Sequence, residues 1–468
     1  MIDLISERAG GQVIEWNDEF FAPAERLILS ASPIANDEYT DRGKWMDGWE
    51  TRRRREPGHD WCVIKIGIPG RIERVVVDTS HFTGNYAPHF SLEATGAAAP
   101  DAAGWSELIP KSALEGDSVA EFEVSDPHRV ELVRLNIFPD GGVARLRVAG
   151  EPLPAMELVC PGSEVDLASA MIGGSAIAAS DTHYSQPSNL LRPVPSAGMW
   201  DGWETKRRRD DGHDWVVVRL GLPGTVRSLI VDTTHFKGNA PGWVSVDVSG
   251  DGEVWDRVAE MVPVAADSVN RVDVAEGASG SYVRLSIHPD GGLARLRVMG
   301  VPDQEPAGAK RLSYLNALFD AAAHGFFATA CSSAVWVSEM TKGRPYSEMG
   351  SVLDRADQIF DGLSESDWLE AFAGHPRIGE PGGGIAAHEQ AGAVGSEEEL
   401  AAVNSEYETK YGFTYIVYAT GKTGEEMLSM ARERLGNTRE DELANAAIEQ
   451  RKITSTRLLR MLCQEPVG

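Results

Sequence analysis

Asp47-Gly-Trp-Glu-Thr-Arg-Arg-Arg-Arg-Glu-Pro-Gly-His-Asp-Trp61 returns as Asp201-Gly-Trp-Glu-Thr-Lys-Arg-Arg-Arg-Asp-Asp-Gly-His-Asp-Trp215, at an offset of 154 residues. The same offset separates Val77-Asp-Thr-Ser-His-Phe-Thr-Gly-Asn85 from Val231-Asp-Thr-Thr-His-Phe-Lys-Gly-Asn239. Further on, Val133-Arg-Leu-Asn-Ile-Phe-Pro-Asp-Gly-Gly142 returns as Val283-Arg-Leu-Ser-Ile-His-Pro-Asp-Gly-Gly292, now at 150. Solenoid repeats run about 20–50 residues, so this period marks a duplicated domain. The residues kept in both copies are mostly Asp, His, Arg, Asn and Trp. That selection points to a site rather than to a core.

Each copy reads as strands. Arg74-Val-Val-Val-Asp-Thr79 and Ser228-Leu-Ile-Val-Asp-Thr233 are β-branched runs, and Trp61-Cys-Val-Ile-Lys-Ile-Gly-Ile68 and Trp215-Val-Val-Val-Arg-Leu-Gly-Leu222 each lead into a Pro-Gly turn signal. Val244-Ser-Val-Asp-Val248 and Ala144-Arg-Leu-Arg-Val148 alternate apolar and polar, as strands with one wet face do. Roughly eight such strands per copy predict two antiparallel β-sandwiches of jelly-roll type, over 1–155 and 156–305. Proline-rich linkers, Gly150-Glu-Pro-Leu-Pro154 through Cys160-Pro-Gly162 and Val301-Pro-Asp-Gln-Glu-Pro306, close the copies. The texture then turns helical. Ser396-Glu-Glu-Glu399 and Thr423-Gly-Glu-Glu426 are capping boxes; the first precedes a stripe of Leu400, Val403, Tyr407 and Tyr411, with Gly412 as a stop. Residues 310–468 are therefore expected to form an all-helical domain.

The formal charge of −27 on 468 residues argues against nucleic acid or an anionic membrane as partner, because both need a basic footprint. Cys62, Cys160, Cys331 and Cys463 show no metal spacing and read as free thiols of a reducing compartment. With no basic-then-apolar leader and no span of about 20 apolar residues, the expectation is a cytoplasmic protein acting on small molecules.

In the copies, Asp78 and Asp232 end a strand, and His81 and His235 stand in the following loop, where sites are commonly built. His and Asp transfer protons, while Arg grips a carboxylate with two prongs. His59-Asp60 also reads as a possible metal pair, and Trp49 and Trp61 read as packing. In the run Arg52–Arg55, strand alternation sends two side chains toward a site and two toward surface acids. Phe20-Phe-Ala-Pro-Ala-Glu25, the stretch from Tyr39 through Arg55 and the motif Val77–Tyr86 resemble allantoicase, over both copies. The resemblance implies hydrolysis of allantoate to ureidoglycolate and urea on tandem jelly rolls related to galactose-binding domains. It brings no settled catalytic assignment, so the candidates are Asp78, His81 and His59 with Arg53 as anchor, and Asp232, His235 and His213 with Arg207. Need for a divalent metal stays open, as does the choice of working copy: His288 replaces Phe138, Asp210-Asp211 replace Glu56-Pro57, and Ala240 replaces Tyr86.

In the helical part, Phe372-Ala-Gly-His-Pro-Arg-Ile-Gly379 puts His375 in a loop, and His388-Glu-Gln-Ala-Gly392 follows. With Val403-Asn-x-x-Tyr407, Lys410-Tyr-Gly-Phe-Thr-Tyr-Ile-Val417, Lys452-Ile-x-x-x-Arg457, Cys331-Ser-Ser-x-x-Trp336 and Arg344-Pro-Tyr346, these resemble the decarboxylase of 2-oxo-4-hydroxy-4-carboxy-5-ureidoimidazoline (OHCU). The resemblance implies that His375 is the catalytic acid and Glu389 its partner. It implies that Pro376, Gln390 and the backbone of Tyr415, Ile416, Val417, Tyr418 and Ala419 line the substrate site, that Arg457 meets an anionic or carbonyl edge, and that the product is (S)-allantoin. No cofactor is required, because the ring takes up the electron pair left by CO2. One departure stands out: Ala386 occupies the place where this family carries Ser, so a ligand group there loses a hydroxyl partner.

The sequence thus reads as a bifunctional enzyme of purine breakdown, expected as a homo-oligomer. The two steps are not consecutive, because the ring of allantoin must be opened before an allantoicase acts. Two rivals are tandem sugar-binding jelly rolls tethering the helical enzyme, and an allantoicase whose helical domain serves only assembly.

Overall fold

The computed structural model describes residues 2–102, 104–154, 162–375 and 397–462. They form two compact units, Met1–Phe319 and Asp320–Gly468. In the first repeat the strands are β1 (Ile2–Asp3), β2 (Gln12–Trp16), β3 (Asp60–Asp78), β4 (His89–Thr95), β5 (Ser106–Ala113), β6 (Val119–Glu123), β7 (Arg129–Phe138) and β8 (Arg145–Pro152). Their order is β1-β8-β3-β7-β4-β5, and β2 and β6 also pair with β3. The second repeat copies this strand for strand, with β9 (Val165–Asp166), β10 (Ser175–Ala179), β11 (Asp214–Asp232), β12 (Trp243–Ser249), β13 (Asp256–Pro263), β14 (Val269–Asp273), β15 (Ser279–His288) and β16 (Arg295–Pro302). Every pairing between these strands is antiparallel.

One strand organises each repeat. The first part of β3, Asp60 to Lys65, pairs with β7, and its last part, Gly70 to Asp78, pairs with β8. The Pro-Gly signal at Pro69-Gly70, expected to separate two strands, instead lies inside one 19-residue strand. Pro69 has no N–H for the ladder, and a Cβ at Gly70 would meet the Glu151 carbonyl oxygen at 2.2 Å. The register slips here and the strand bends between layers. Asp60 lies opposite Ile137 at the end of β7, and Asp78 opposite Arg145 at the start of β8. Only residues 139–144 separate β7 from β8, so both ends of β3 emerge at the same end of the sandwich. Pro223-Gly224 plays the same part in β11.

Burial explains the alternation seen in sequence. Val75, Val77, Leu146 and Val148 of the first repeat, and Leu229, Val231, Leu296 and Val298 of the second, fill the two cores. Each such side chain contributes roughly 1.5–3 kcal/mol on burial. Trp49 and Trp203 are fully buried and donate from their indole N–H to the carbonyls of Asp18 and Asp181 (2.8 and 2.9 Å), so they pack as expected. Trp61 and Trp215 are half-buried.

The first helix, α1 (Gln304–Asn316), belongs to the sandwich unit. Its Ala307 enters the second core, and Tyr314 lies under the Arg129 guanidinium, 5.1 Å from the ring centre. A boundary at 310 would cut this helix; the helical unit begins at Asp320. That unit contains α2 (Asp320–Ala330), α3 (Ala334–Lys342), α4 (Met349–Asp361), α5 (Glu365–Ala373), α6 (Glu397–Tyr411), α7 (Gly424–Arg434) and α8 (Arg439–Met461). Leu400, Val403, Tyr407 and Tyr411 form a buried stripe on α6, and Gly412 at φ 82° ends it in the left-handed conformation that glycine adopts freely. The capping box of α7 is present in full: Thr423 accepts from the Glu426 N–H and Glu426 returns the bond. Ser396 lies outside the described residues. Among those described, no helix is long and apolar enough to cross a membrane. Cys62 and Cys331 are free, buried thiols; Cys160 and Cys463 are outside the described residues.

Candidate functional sites

Because both ends of β3 emerge together, three loops meet there. The Arg54 N–H donates to Asp140 (2.9 Å), the Thr51 N–H to the Gly141 carbonyl (3.1 Å), and the Asn85 amide to Glu50 (2.8 Å). The second copy repeats these contacts with Arg208 to Asp290 (2.8 Å), Thr205 to Gly291 (3.1 Å) and Asn239 to Glu204 (2.7 Å). Gly142 and Gly292 allow the closure: a Cβ on either would meet the buried ring of Phe82 or Phe236 at 2.1 or 1.9 Å.

Asp78 and Asp232 sit in this region as turn-makers, accepting from the N–H of Ser80 and Thr234 (both 2.8 Å). His81 and His235 follow at φ 71° and 75°, in the left-handed region, which costs a non-glycine residue energy. Their N–H groups are held by Asp117 and Asp267 (both 2.8 Å). Each Nε2 faces a carbonyl, of Pro33 at 3.3 Å and of Ser196 at 2.9 Å. A carbonyl only accepts, so Nε2 carries the proton and Nδ1 is left as the acceptor.

The arginine run is not a strand, and the expected division into two site-facing and two acid-facing side chains does not appear, because all four arginines line one cleft. Arg52 pairs with Asp18 (2.6 Å) and Arg54 with the buried Asp60 (2.5 Å), while Arg53 and Arg55 are exposed. Arg53 lines a 440 Å³ cleft with Asn17, Asp18 and Glu56. In the second copy Arg208 takes Asp214 (2.8 Å) and Arg207 is exposed. No hydrogen bond or ion pair among the described residues joins Asp78, His81, His59 and Arg53 to one another. What the structure brings together are rings. His59 lies on Phe138, 4.7 Å between centres, and His213 lies on His288 at 4.6 Å. His288 Nε2 is 3.1 Å from the buried Ser245 hydroxyl. Burial, then the charges of His213 and Arg257, push the His288 pKa down, against an opposing pull from Glu260.

Two features escaped the reading of the residues. Glu50 and Glu204 are kept in both copies inside Asp-Gly-Trp-Glu, and their bonds to Asn85 and Asn239 tie two loops together. Burial raises the Glu50 carboxyl above the usual range, and the Asn85 bond partly offsets this. The contact of His213 with His288 joins residues far apart in sequence.

In the helical unit His375 follows the end of α5, where its N–H donates to the Phe372 carbonyl (3.0 Å). Gly374 is required there, since a Cβ would meet the Ser332 hydroxyl at 1.8 Å. His375 lines a 310 Å³ cavity with Leu369, Glu408, Phe413 and Thr414. The buried Arg457 brings Nη2 to 3.4 Å from His375 Nδ1. Arginine only donates, so Nδ1 accepts and Nε2 bears the proton of the neutral ring. The segment Tyr415–Ala419, buried except for the partly exposed Tyr418, has no regular structure, and its backbone is held by side chains. Arg434 donates to the Ile416 carbonyl (2.9 Å), Glu449 accepts from the Tyr418 N–H (2.7 Å) and Lys422 donates to the Tyr418 carbonyl (2.6 Å). Arg434 is fixed in turn by the buried Glu442, which also takes the Tyr407 hydroxyl. Pro376, Ala386, Glu389 and Gln390 lie outside the described residues.

A duplicated β-sandwich joined to a helical unit, with polar clefts in each, is the class of a fused two-domain enzyme. Residues 2–153 and 165–303 match the family described as allantoicase repeat, and 316–459 match OHCU decarboxylase. A probable allantoicase of Pseudomonas aeruginosa (strain UCBPP-PA14) is 43% identical over 318 residues, covering 64% of this chain and 96% of its own. The solved allantoicase of Saccharomyces cerevisiae is 34% identical, with TM-score 0.55 over 64% of this chain and 92% of that one. An OHCU decarboxylase solved in the presence of (S)-allantoin is 33% identical over 29% of this chain and 96% of that one, TM-score 0.27. The chain belongs to the allantoicase family and carries an OHCU decarboxylase-like domain fused behind its two repeats. Allantoicase-type hydrolysis and OHCU decarboxylation are its two activities.

Proposed function

We propose that the sandwiches hydrolyse allantoate to (S)-ureidoglycolate and urea, and that the helical unit converts OHCU to (S)-allantoin and CO2. The family match over both copies carries the first activity, and the second copy is its working site. There Arg207 takes the carboxylate. The neutral His288 imidazole, held against His213, takes a proton from the attacking water, whose hydroxyl bonds to the central carbon as the C–N bond breaks, and that proton passes to the departing urea nitrogen. Asp232 and His235 shape the loop, as Asp78 and His81 do beside Arg53 and His59 in the first copy. Phe138 denies that copy the second imidazole.

For the decarboxylation, support comes from His375 beside Arg457 at the small cavity. The C–CO2 bond breaks, its electron pair passes into the ring, and the proton on His375 Nε2 is delivered to one face of the carbon. Glu389, Pro376, Gln390, Ala386 and the backbone from Tyr415 to Ala419 complete this site, with no cofactor. We place the enzyme in the cytoplasm as a homo-oligomer that takes no nucleic acid.

Urea release from allantoate tests the first reading, in wild type, His59→Ala and His213→Ala. The second variant is expected to lose far more activity than the first. Equal loss would refute the assignment to the second copy, and no urea from wild type would refute the hydrolase and favour sugar-binding modules. The same assay, metal-stripped and with Mn²⁺ restored, reads any metal requirement.

A further inference from the structure

Between the two repeats, inside the sandwich unit, lies a cavity of about 830 Å³, within the range of small-molecule pockets, roughly 300–1,000 Å³. It is built from the β1–β8 edge of the first repeat, the tight turn Ala170–Ile172 capped by Gly173 and β10 of the second, and α1. Four cations line it, Arg147, Arg192, Arg219 and Lys310, against two carboxylates, Asp3 and Glu151. The carboxylates leave much of this charge uncompensated. Glu151 is taken by Arg71 at 2.6 Å, and Asp3 stands 3.8 Å from Arg147. Arg192 is matched by Asp201 at 2.6 Å. Lys310 and Arg219 make no hydrogen bond or ion pair among the described residues. The Lys310 ammonium nitrogen reaches the turn of the second repeat, 3.6 Å from where a Cβ of Gly173 would stand.

Two lining groups are orphaned. Arg147 Nη1, which has the Asp3 carboxylate no nearer than 3.8 Å, and the Ser175 hydroxyl are buried without a hydrogen bond among the described residues. Leaving a buried donor without an acceptor is costly, so these groups are placed to meet one. A protein of charge −27 gathers positive charge in an open cleft here, and Ser30, Ser175 and Ser188 add hydroxyls at the wall.

We propose that this cavity binds a small carboxylate bearing ureido groups. Lys310 and Arg219 take the carboxylate, and Arg147 Nη1 and Ser175 meet the ureido oxygen and nitrogen. The anion site follows from the cavity; the choice of a ureido acid rests on the function proposed above. The ligand bridges the two repeats.

Hydantoate, a ureido acid that lacks the second ureido group of allantoate, is titrated calorimetrically into the full chain at low salt, with inorganic phosphate in parallel. The expected result is a saturable component that Lys310→Ala/Arg219→Ala weakens at least tenfold, that Lys310→Arg/Arg219→Lys restores, and that His213→Ala leaves in place. Lys310→Gln alone is the fallback should the double variant not fold. No saturable binding by wild type, or an unchanged titration in the cavity variants, overturns the site. Phosphate binding there as tightly as hydantoate overturns the ureido class. Absence of urea release from allantoate would sink the proposed function while leaving this titration readable.

Discussion

The ring of His213 lies 4.6 Å from that of His288, where the first copy sets His59 against Phe138. A single difference between the duplicated halves therefore decides whether two imidazoles or one stand at the end of the sandwich. Burial and His213 hold His288 below its ordinary value of 6.5, so it is neutral at pH 7 and gains a proton only on the acid side. His288→Phe is expected to lower urea release about tenfold or more and to remove the acid limb below about pH 6.5. Phe138→His should leave the rate near wild type. A pH–rate profile of each variant checks this, and an unchanged profile for His288→Phe would refute it.

The fused activities should separate by single substitutions. His375→Ala is expected to lower the rate of OHCU decarboxylation by about 10²–10⁴-fold, the usual worth of a positioned acid, with urea release from allantoate unchanged. Following OHCU decay and the optical activity of the allantoin formed reads both rate and stereochemistry. Retention of full activity by His375→Ala would reduce the helical unit to an assembly module.

Burial pushes the Asp166 carboxyl up to about 6, against bonds from the Val298 and Ala168 N–H groups and the charge of Arg297. Between its ordinary 3.8 and about 6, the folded chain binds the proton that the unfolded chain has released. Its stabilising contribution is therefore present at low pH and lost as pH rises through about 6, by at most about 3 kcal/mol. Asp166→Asn should flatten the fall in thermal midpoint between pH 4.5 and 7. An identical pH dependence in both chains would contradict this.

Thr423→Ala removes the hydroxyl that caps α7 and one half of its reciprocal pair with Glu426. The expected cost is about 1 kcal/mol, seen as a lower unfolding midpoint of the helical unit. Thr423→Ser should restore most of it.

Much of this architecture was readable because duplication labelled it. Motifs repeated at offsets of 154 and then 150 residues marked the two copies, and alternation along Val244–Val248 and Ala144–Val148 gave strands. Pro69-Gly70 misled, because a bent strand and a chain reversal use the same local chemistry; only the partners β7 and β8 separate them. The helix Gln304–Asn316 looks like its helical successors in sequence, and its packing on Arg129 is a long-range fact. Among site residues, single candidates were visible one by one. The contacts that relate them, Glu50 with Asn85, His213 with His288 and His375 with Arg457, join loops that sequence spacing does not bring together.

Because β3 serves both layers of its sandwich, it works as a ruler with both marks at one end. Its length and its corner at Pro69-Gly70 jointly set how far the loop before Asp60 stands from the loop after Asp78. Lengthening either half by one residue turns that half's side chains to the opposite face and carries its loop past the other. Drift in the spacing of these loops is thereby tied to loss of the core itself, so the sandwich keeps its site in register by the same strand that keeps it folded.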